Sequence, residues 1–101
     1  MRRMLGELKI GDFSERVGDV FRVVEPAAEL ELTLIEATDL SREDAPGPRR
    51  RPFSLIFRGP LRPLLVQRIW PLEHAALGRL EMFIVPIGPD EKGMRYEAVF
   101  N

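Results

Sequence analysis

A chain of 101 residues and 11.6 kDa has room for one hydrophobic core, since single domains run to about 100–150 residues, and a two-domain enzyme is excluded. Hydrophobic residues at 45% and charged residues at 31% match ordinary globular usage and exclude disordered, collagen-like and low-complexity classes. A net charge of −1 argues against a dedicated nucleic-acid binder, and the absence of cysteine excludes disulfides, thiolate metal sites, iron–sulfur clusters and a cysteine nucleophile.

The opening stretch Met1-Arg2-Arg3-Met4-Leu5-Gly6-Glu7 meets Glu7 and Lys9 before any apolar run develops, so it has no secretory h-region. No segment approaches the roughly 18 apolar residues of a membrane span. A cytoplasmic protein with no membrane partner is expected.

Leu5, Leu8, Ile10 and Phe13 fall at loosely helical spacing before Ser14 and Gly18 interrupt it, which predicts a short helix or turn at the start. Val17, Val20, Phe21, Val23 and Val24 are β-branched or aromatic and predict a first strand within Arg16–Glu25, closed by Pro26. From Glu29 to Ala37 the leucines Leu30, Leu32 and Leu34 alternate with Glu29, Glu31 and Thr33. That period of two predicts a half-buried antiparallel strand. Residues 41–52 collect Asp, Pro, Gly and the triplet Arg49, Arg50 and Arg51 without apolar periodicity, as an exposed Arg/Pro-rich loop does.

Phe53, Leu55 and Phe57 define the inward face of the next strand, which Gly59-Pro60 ends. Pro60 and Pro63 with Leu61, Leu64 and Leu65 form an irregular link, because proline cannot donate to a ladder. Val66–Glu73 reads as a strand that Pro71 confines to an edge or a bulge, and His74–Gly78 as a hairpin-like turn. Arg79–Ile87 is apolar on both faces from Met82 onward, the pattern of a strand covered on both sides. Gly88–Gly93 is a strong turn signal, and Met94, Tyr96, Ala98 and Phe100 then alternate with Arg95, Glu97 and Val99 in a last strand. The whole of residues 1–101 therefore reads as a single all-β domain, a small antiparallel barrel or two-sheet sandwich of about six strands. The barrel is preferred because an open sheet leaves two edges to protect.

Charge is unevenly distributed. Residues 49–79 carry seven arginines against Glu73 alone, while the flanks 1–48 and 80–101 hold eight Lys or Arg against fifteen Asp or Glu. Such asymmetry can mark a polyanion site, but the expected reading is acidic and basic strands lying side by side and neutralising one another.

Few residues offer catalytic chemistry. His74, the single histidine, follows Glu73, a pair that could serve as general base or metal ligand if a turn brought the two together. Without cysteine, one histidine is too little for zinc, and a role in the turn is expected. Ser14, Ser41, Thr33 and Thr38 stand in no Gly-x-Ser-x-Gly frame. Glu29 and Glu31 are explained as a solvated face, and the glycines Gly6, Gly11, Gly18 and Gly47 form no phosphate loop. No catalytic residue, metal or cofactor is assigned.

Arg58 beside Gly59 could present its guanidinium to a carboxylate ligand or fix a loop through a salt bridge. Phe53 and Phe57 share the inward face of Leu55 and read as core, not as a base-stacking platform. Trp70, the only tryptophan, could be an exposed anchor for a partner or a plug in one end of the barrel.

Phe53-Ser54-Leu55-Ile56-Phe57-Arg58-Gly59-Pro60, Leu72-Glu73-His74 with Leu77-Gly78, and the run from Phe83 through Asp90 and from Gly93 to Asn101 resemble a family of small uncharacterised bacterial domains, as does the acidic strand from Leu30 to Ala37. One departure is Val66-Gln67, where relatives tend to have Pro-Gln. The resemblance implies no activity and no catalytic residues. It implies a genomic setting near phage-tail-collar-like proteins, hence a part in assembling a tail-like or surface structure.

The expectation is thus a non-enzymatic interaction or assembly domain that meets a protein partner through Arg49, Arg50, Arg51, Arg58, Arg62, Arg68 and Trp70, with a homodimer plausible on general grounds. The alternative is a barrel whose mouth, lined by Arg58, Trp70 and Tyr96, binds a small anionic ligand or single-stranded nucleic acid.

Overall fold

A computed structural model describes residues 8–24, 30–41 and 52–101. One short helix, α1 (Ile10–Ser14), precedes six strands: β1 (Val20–Val23), β2 (Glu31–Asp39), β3 (Phe53–Gly59), β4 (Arg68–His74), β5 (Gly78–Asp90) and β6 (Gly93–Phe100). All neighbouring strands are antiparallel and the sheet closes on itself in the order β1-β2-β3-β6-β5-β4. The expected barrel is what forms, and the sandwich is not.

Alternation fills the interior. Leu32 and Leu34 of β2, Phe53, Leu55 and Phe57 of β3, Leu72 of β4, Leu80 and Ile84 of β5 and Tyr96 of β6 are wholly buried, as inward positions of a small barrel must be. The Phe53 end of β3 is stopped by α1, whose Phe13 ring lies 5.8 Å from Phe53, 5.6 Å from Phe100 and 6.3 Å from Phe21. Asp12 accepts the Lys9 amide at 2.8 Å, and Arg16 donates to the Asp12 carbonyl at 2.8 Å. A five-residue helix that would not persist alone is therefore tied at both ends. The segment 60–67 leaves β3 at Gly59 and drives Leu65 into the core; the Leu65 amide donates to the Tyr96 hydroxyl at 3.0 Å.

Several expectations are corrected. The first strand contracts to Val20–Val23 because residues 15–18 turn, with the Gly18 amide and Leu34 carbonyl bonded at 2.7 Å. The strand covered on both sides is β3, where Ser54 and Ile56 are buried as well as their inward neighbours. On β5, Phe83 and Ile87 face solvent, so its apolar run reflects an exposed face and not a second cover. Strand β5 also continues through Gly88-Pro89-Asp90, leaving only Glu91-Lys92 as the turn. A bulge between Pro86 and Gly88, with Gly88 at φ 109°, absorbs the curvature. Of the 41–52 loop, only Ser41 and Pro52 are among the described residues, and the Leu40 amide reaches the Pro52 carbonyl at 2.8 Å.

The β5–β6 hairpin sits so close to the end of β3 that a Cβ on Gly93 would stand 2.2 Å from the Gly59 carbonyl oxygen. Backbone cannot yield as a side chain can, so Gly93→Ala is expected to cost about 1–3 kcal/mol in urea unfolding. Gly11 in α1 faces open space, and Gly11→Ala is expected to stabilise by up to about 1 kcal/mol in the same measurement.

Candidate functional site

The register sorts the charges into pairs. Arg22 of β1 lies opposite Glu31 of β2 and Glu73 of β4, and Glu73 lies opposite Arg79 of β5. An alternating row thus crosses four strands. Arg22 meets Glu73 at 2.8 Å, and Arg79 comes within 3.9 Å of Glu81. Cross-strand neutralisation occurs here in the reverse sense to that expected, since Arg22 comes from the acidic residues 1–48 and Glu73 is the one acid of 49–79. Around the Arg22–Glu73 pair lies a shallow groove of about 500 Å³ lined by Val20, Glu31, His74 and Arg79.

His74 and Glu73 do not form a dyad, because adjacent strand residues point to opposite faces. Glu73 faces out to Arg22, whereas His74 is 6% exposed with its ring 4.6 Å from Phe21. The amides of Ala76 and Leu77 donate to Nδ1 at 3.0 and 3.1 Å, so the proton belongs on Nε2, which donates to Asp19 at 2.7 Å. Both ring nitrogens are engaged, leaving no lone pair to take a substrate proton. His74 is a turn residue, and its orienting acid is Asp19, 55 residues away. His74→Ala leaves two turn amides without their acceptor and should lower stability by about 1–3 kcal/mol, read by thermal or urea unfolding.

Arg58 is likewise engaged. Its Nε and Nη2 donate to both carboxylate oxygens of Asp90, Nε to Oδ2 at 2.9 Å and to Oδ1 at 3.1 Å, the fork geometry that makes such pairs directional. Asp90 Oδ1 also accepts the amides of Lys92 at 2.8 Å and Gly93 at 3.0 Å, so one carboxylate closes the β5–β6 turn and holds Arg58. The salt bridge expected of Arg58 is present, with an aspartate of the turn as its partner.

Arg62 and Arg68 sit on one exposed segment. The Arg68 guanidinium stacks 4.0 Å above the Trp70 ring, a cation–π contact. Trp70 is not the exposed anchor: at 6% exposure it belongs to the core, and its Nε1 donates to the Val66 carbonyl at 2.8 Å. An indole placed inward on β4 buries its large ring and satisfies its one donor. Tyr96 is wholly buried with its hydroxyl taken by Leu65, so Arg58, Trp70 and Tyr96 do not line an open mouth. Arg49, Arg50 and Arg51 lie outside the described residues.

Sequence reasoning missed the surface that these contacts present. Leu61, Leu64, Val66 and Ile69 are all exposed, although the chain around them is pinned by Leu65, Tyr96 and Trp70. Four apolar side chains and two arginines are thereby carried on a segment tied to the barrel through Leu65 and Trp70. The signal available was the proline pair Pro60 and Pro63, which fixes backbone but does not say which leucine turns inward.

Among the described residues no group of three or more His, Asp or Glu stands together to hold a metal ion, and every buried side-chain nitrogen or oxygen has a hydrogen-bond partner. No helix among them is long and apolar enough to cross a membrane. A family model described as a domain of unknown function (DUF6916) matches residues 8–100. No curated protein and no solved structure matches the chain.

The Arg58 hydrogen bonds, followed by the Lys92 amide, hold the Asp90 carboxyl down from 3.8 to about 2. A carboxylate depressed in the folded state stabilises above its unfolded value, and that contribution disappears as pH falls through the folded value. The Tm difference between the wild type and Asp90→Asn is therefore expected to be full at neutral pH and to shrink between about pH 4 and about pH 2. A difference independent of pH would contradict the assignment.

Proposed function

We propose that this chain, which belongs to that family of unknown function across residues 8–100, is a non-enzymatic protein-interaction or assembly domain. The observation that carries the reading is the pinned segment 60–69. Contiguous apolar exposure of this kind is uncommon on soluble monomers and marks binding surfaces. A backbone already ordered before binding avoids the entropic cost of ordering it on contact.

Arg62 and Arg68 give this surface a positive rim, which supports a partner whose docking face is acidic and apolar. Arg49, Arg50 and Arg51 are assigned to the same partner by the sequence. The sequence resemblance adds a tail-like or surface structure as the assembly, met in the cytoplasm.

The catalytic and ligand-binding readings draw less support. His74 has no free ring nitrogen, Arg58 is committed to Asp90, and Tyr96 and Trp70 fill the barrel.

The test is affinity capture of the tagged protein from the cells that encode it, at low and at high salt, with the captured proteins identified by mass spectrometry. The wild type should retain a tail or surface-structure protein at low salt and lose it at high salt. Leu61→Ser with Leu64→Ser should abolish that recovery while changing stability by no more than about 0.5 kcal/mol, since both side chains are exposed. Replacement of Arg49, Arg50 and Arg51 by Ser should do the same if the loop shares the contact. Unchanged recovery in the leucine variant would overturn the assignment of the surface.

A further inference from the structure

The two turns that join β4, β5 and β6 are closed in the same way by different chemistry. In the β5–β6 turn Asp90 Oδ1 accepts the amides of Lys92 and Gly93, two and three residues on. In the β4–β5 turn His74 Nδ1 accepts the amides of Ala76 and Leu77, again two and three residues on. Each acceptor residue also heads the closing pair of its hairpin, His74 opposite Gly78 and Asp90 opposite Gly93. Asp and Asn commonly do this work, because a carboxylate or amide oxygen keeps its lone pairs across the neutral range. An imidazole does not. Taking up a proton puts hydrogen on both nitrogens, and imidazoles ordinarily titrate near neutrality.

The surroundings of His74 decide which of its bonds yields to that proton. The residue is 6% exposed, its ring lies 4.6 Å from Phe21, and Nε2 is held by Asp19 at 2.7 Å. Nε2 donates in either charge state, and an imidazolium donates to a carboxylate more strongly than a neutral ring does. At Nδ1, by contrast, an added hydrogen would face two N–H donors. Leu77 is 3% exposed and its amide is buried, so that donor is left unpaired unless the turn opens. The charged groups that share the groove beside the ring are Arg22 of β1, Glu31 of β2, Glu73 of β4 and Arg79 of β5. They are two cations and two anions, and the charge in contact with the ring is that of Asp19.

We propose that the β4–β5 turn is a proton-operated latch: a proton on Nδ1 of His74 releases the Ala76 and Leu77 amides while Nε2 keeps its hold on Asp19. The β5–β6 turn does not respond in the same range, because the Arg58 hydrogen bonds, followed by the Lys92 amide, hold the Asp90 carboxyl down to about 2. The chain has one histidine and no cysteine, so imidazole is its one side-chain type that ordinarily titrates between about pH 8 and about pH 5. Ala75 and Gly78 line the groove around Arg22 and Glu73, and release of the turn reshapes that groove. The latch uses none of residues 60–69, so it stands apart from the surface assigned to the protein partner.

Amide exchange of the isotope-labelled full chain, measured by NMR from about pH 7.5 to about pH 5.5 with the ring resonances of His74 followed alongside, tests it. Protection of Ala76 and Leu77, corrected for the intrinsic pH dependence of exchange, should fall about tenfold or more, with the midpoint of the ring titration. Lys92 and Gly93 in the same sample should keep theirs, as should Val24, whose amide crosses the seam to the Pro71 carbonyl. His74→Asn offers an amide oxygen that does not titrate, and should keep Ala76 and Leu77 protected throughout. Constant protection of Ala76 and Leu77 while the ring titrates would overturn the proposal. So would an equal loss at Lys92 and Gly93, a ring that stays neutral until the whole chain unfolds, or a folded His74→Asn that loses the same amides over the same range. Should His74→Asn fail to fold, the comparison of the two turns within the wild type decides.

Discussion

Closure of the barrel between β1 and β4 is the constraint on which everything else depends. It rests on a short ladder: Arg22 opposite Glu73, Val23 opposite Leu72, and the Val24 amide bonded to the Pro71 carbonyl at 3.0 Å. In a strand the N–H and C=O of one residue point to the same side. The donor that Pro71 lacks is therefore missing on the β1 side, and the seven-residue ladder between β4 and β5 is untouched. The side chains compensate for the weak seam. Arg22 and Glu73 pair across it on the outside, and His74 and Asp19 bridge it near the turn. What resembles a catalytic pair in the sequence is used to fasten the ring.

The same use of polar groups recurs around the barrel. Four of the groups that could have served a ligand hold a turn or a loop instead: Arg58 and Asp90 the β5–β6 hairpin, His74 the β4–β5 turn, Tyr96 the 60–67 segment. On the 60–69 segment what is left exposed is apolar and arginine-bearing, while acidic residues such as Glu31, Glu36 and Glu91 are exposed elsewhere.

How far the sequence could be read follows from which forces are local. Alternation in Leu30–Leu34, Phe53–Phe57 and Met94–Phe100 gave the inward faces correctly, because side chains along a strand point alternately to its two sides. It failed on β5, where Phe83 and Ile87 are apolar yet outward; periodicity cannot separate a covered face from an exposed sticky one. The Arg58 salt bridge was foreseeable in kind but its partner was not, since Asp90 lies 32 residues on and is brought there by hairpin register. Nothing near Leu65 announces that it, and not Leu61 or Leu64, is the residue held by Tyr96. Trp70 could be read either as plug or as anchor until its neighbours on β4 fixed the inward face.

The short β1 clasp has one more consequence. A closed barrel has no edge strands, and that is what keeps β2 and β4 from recruiting foreign strands. Here the protection hangs on four residues and a proline-truncated ladder. When β1 lifts away from both β2 and β4, the ring becomes an open ribbon with two raw margins, β4 and the alternating leucine strand β2. The aggregation hazard of this protein is accordingly concentrated in a single local opening event, well short of global unfolding.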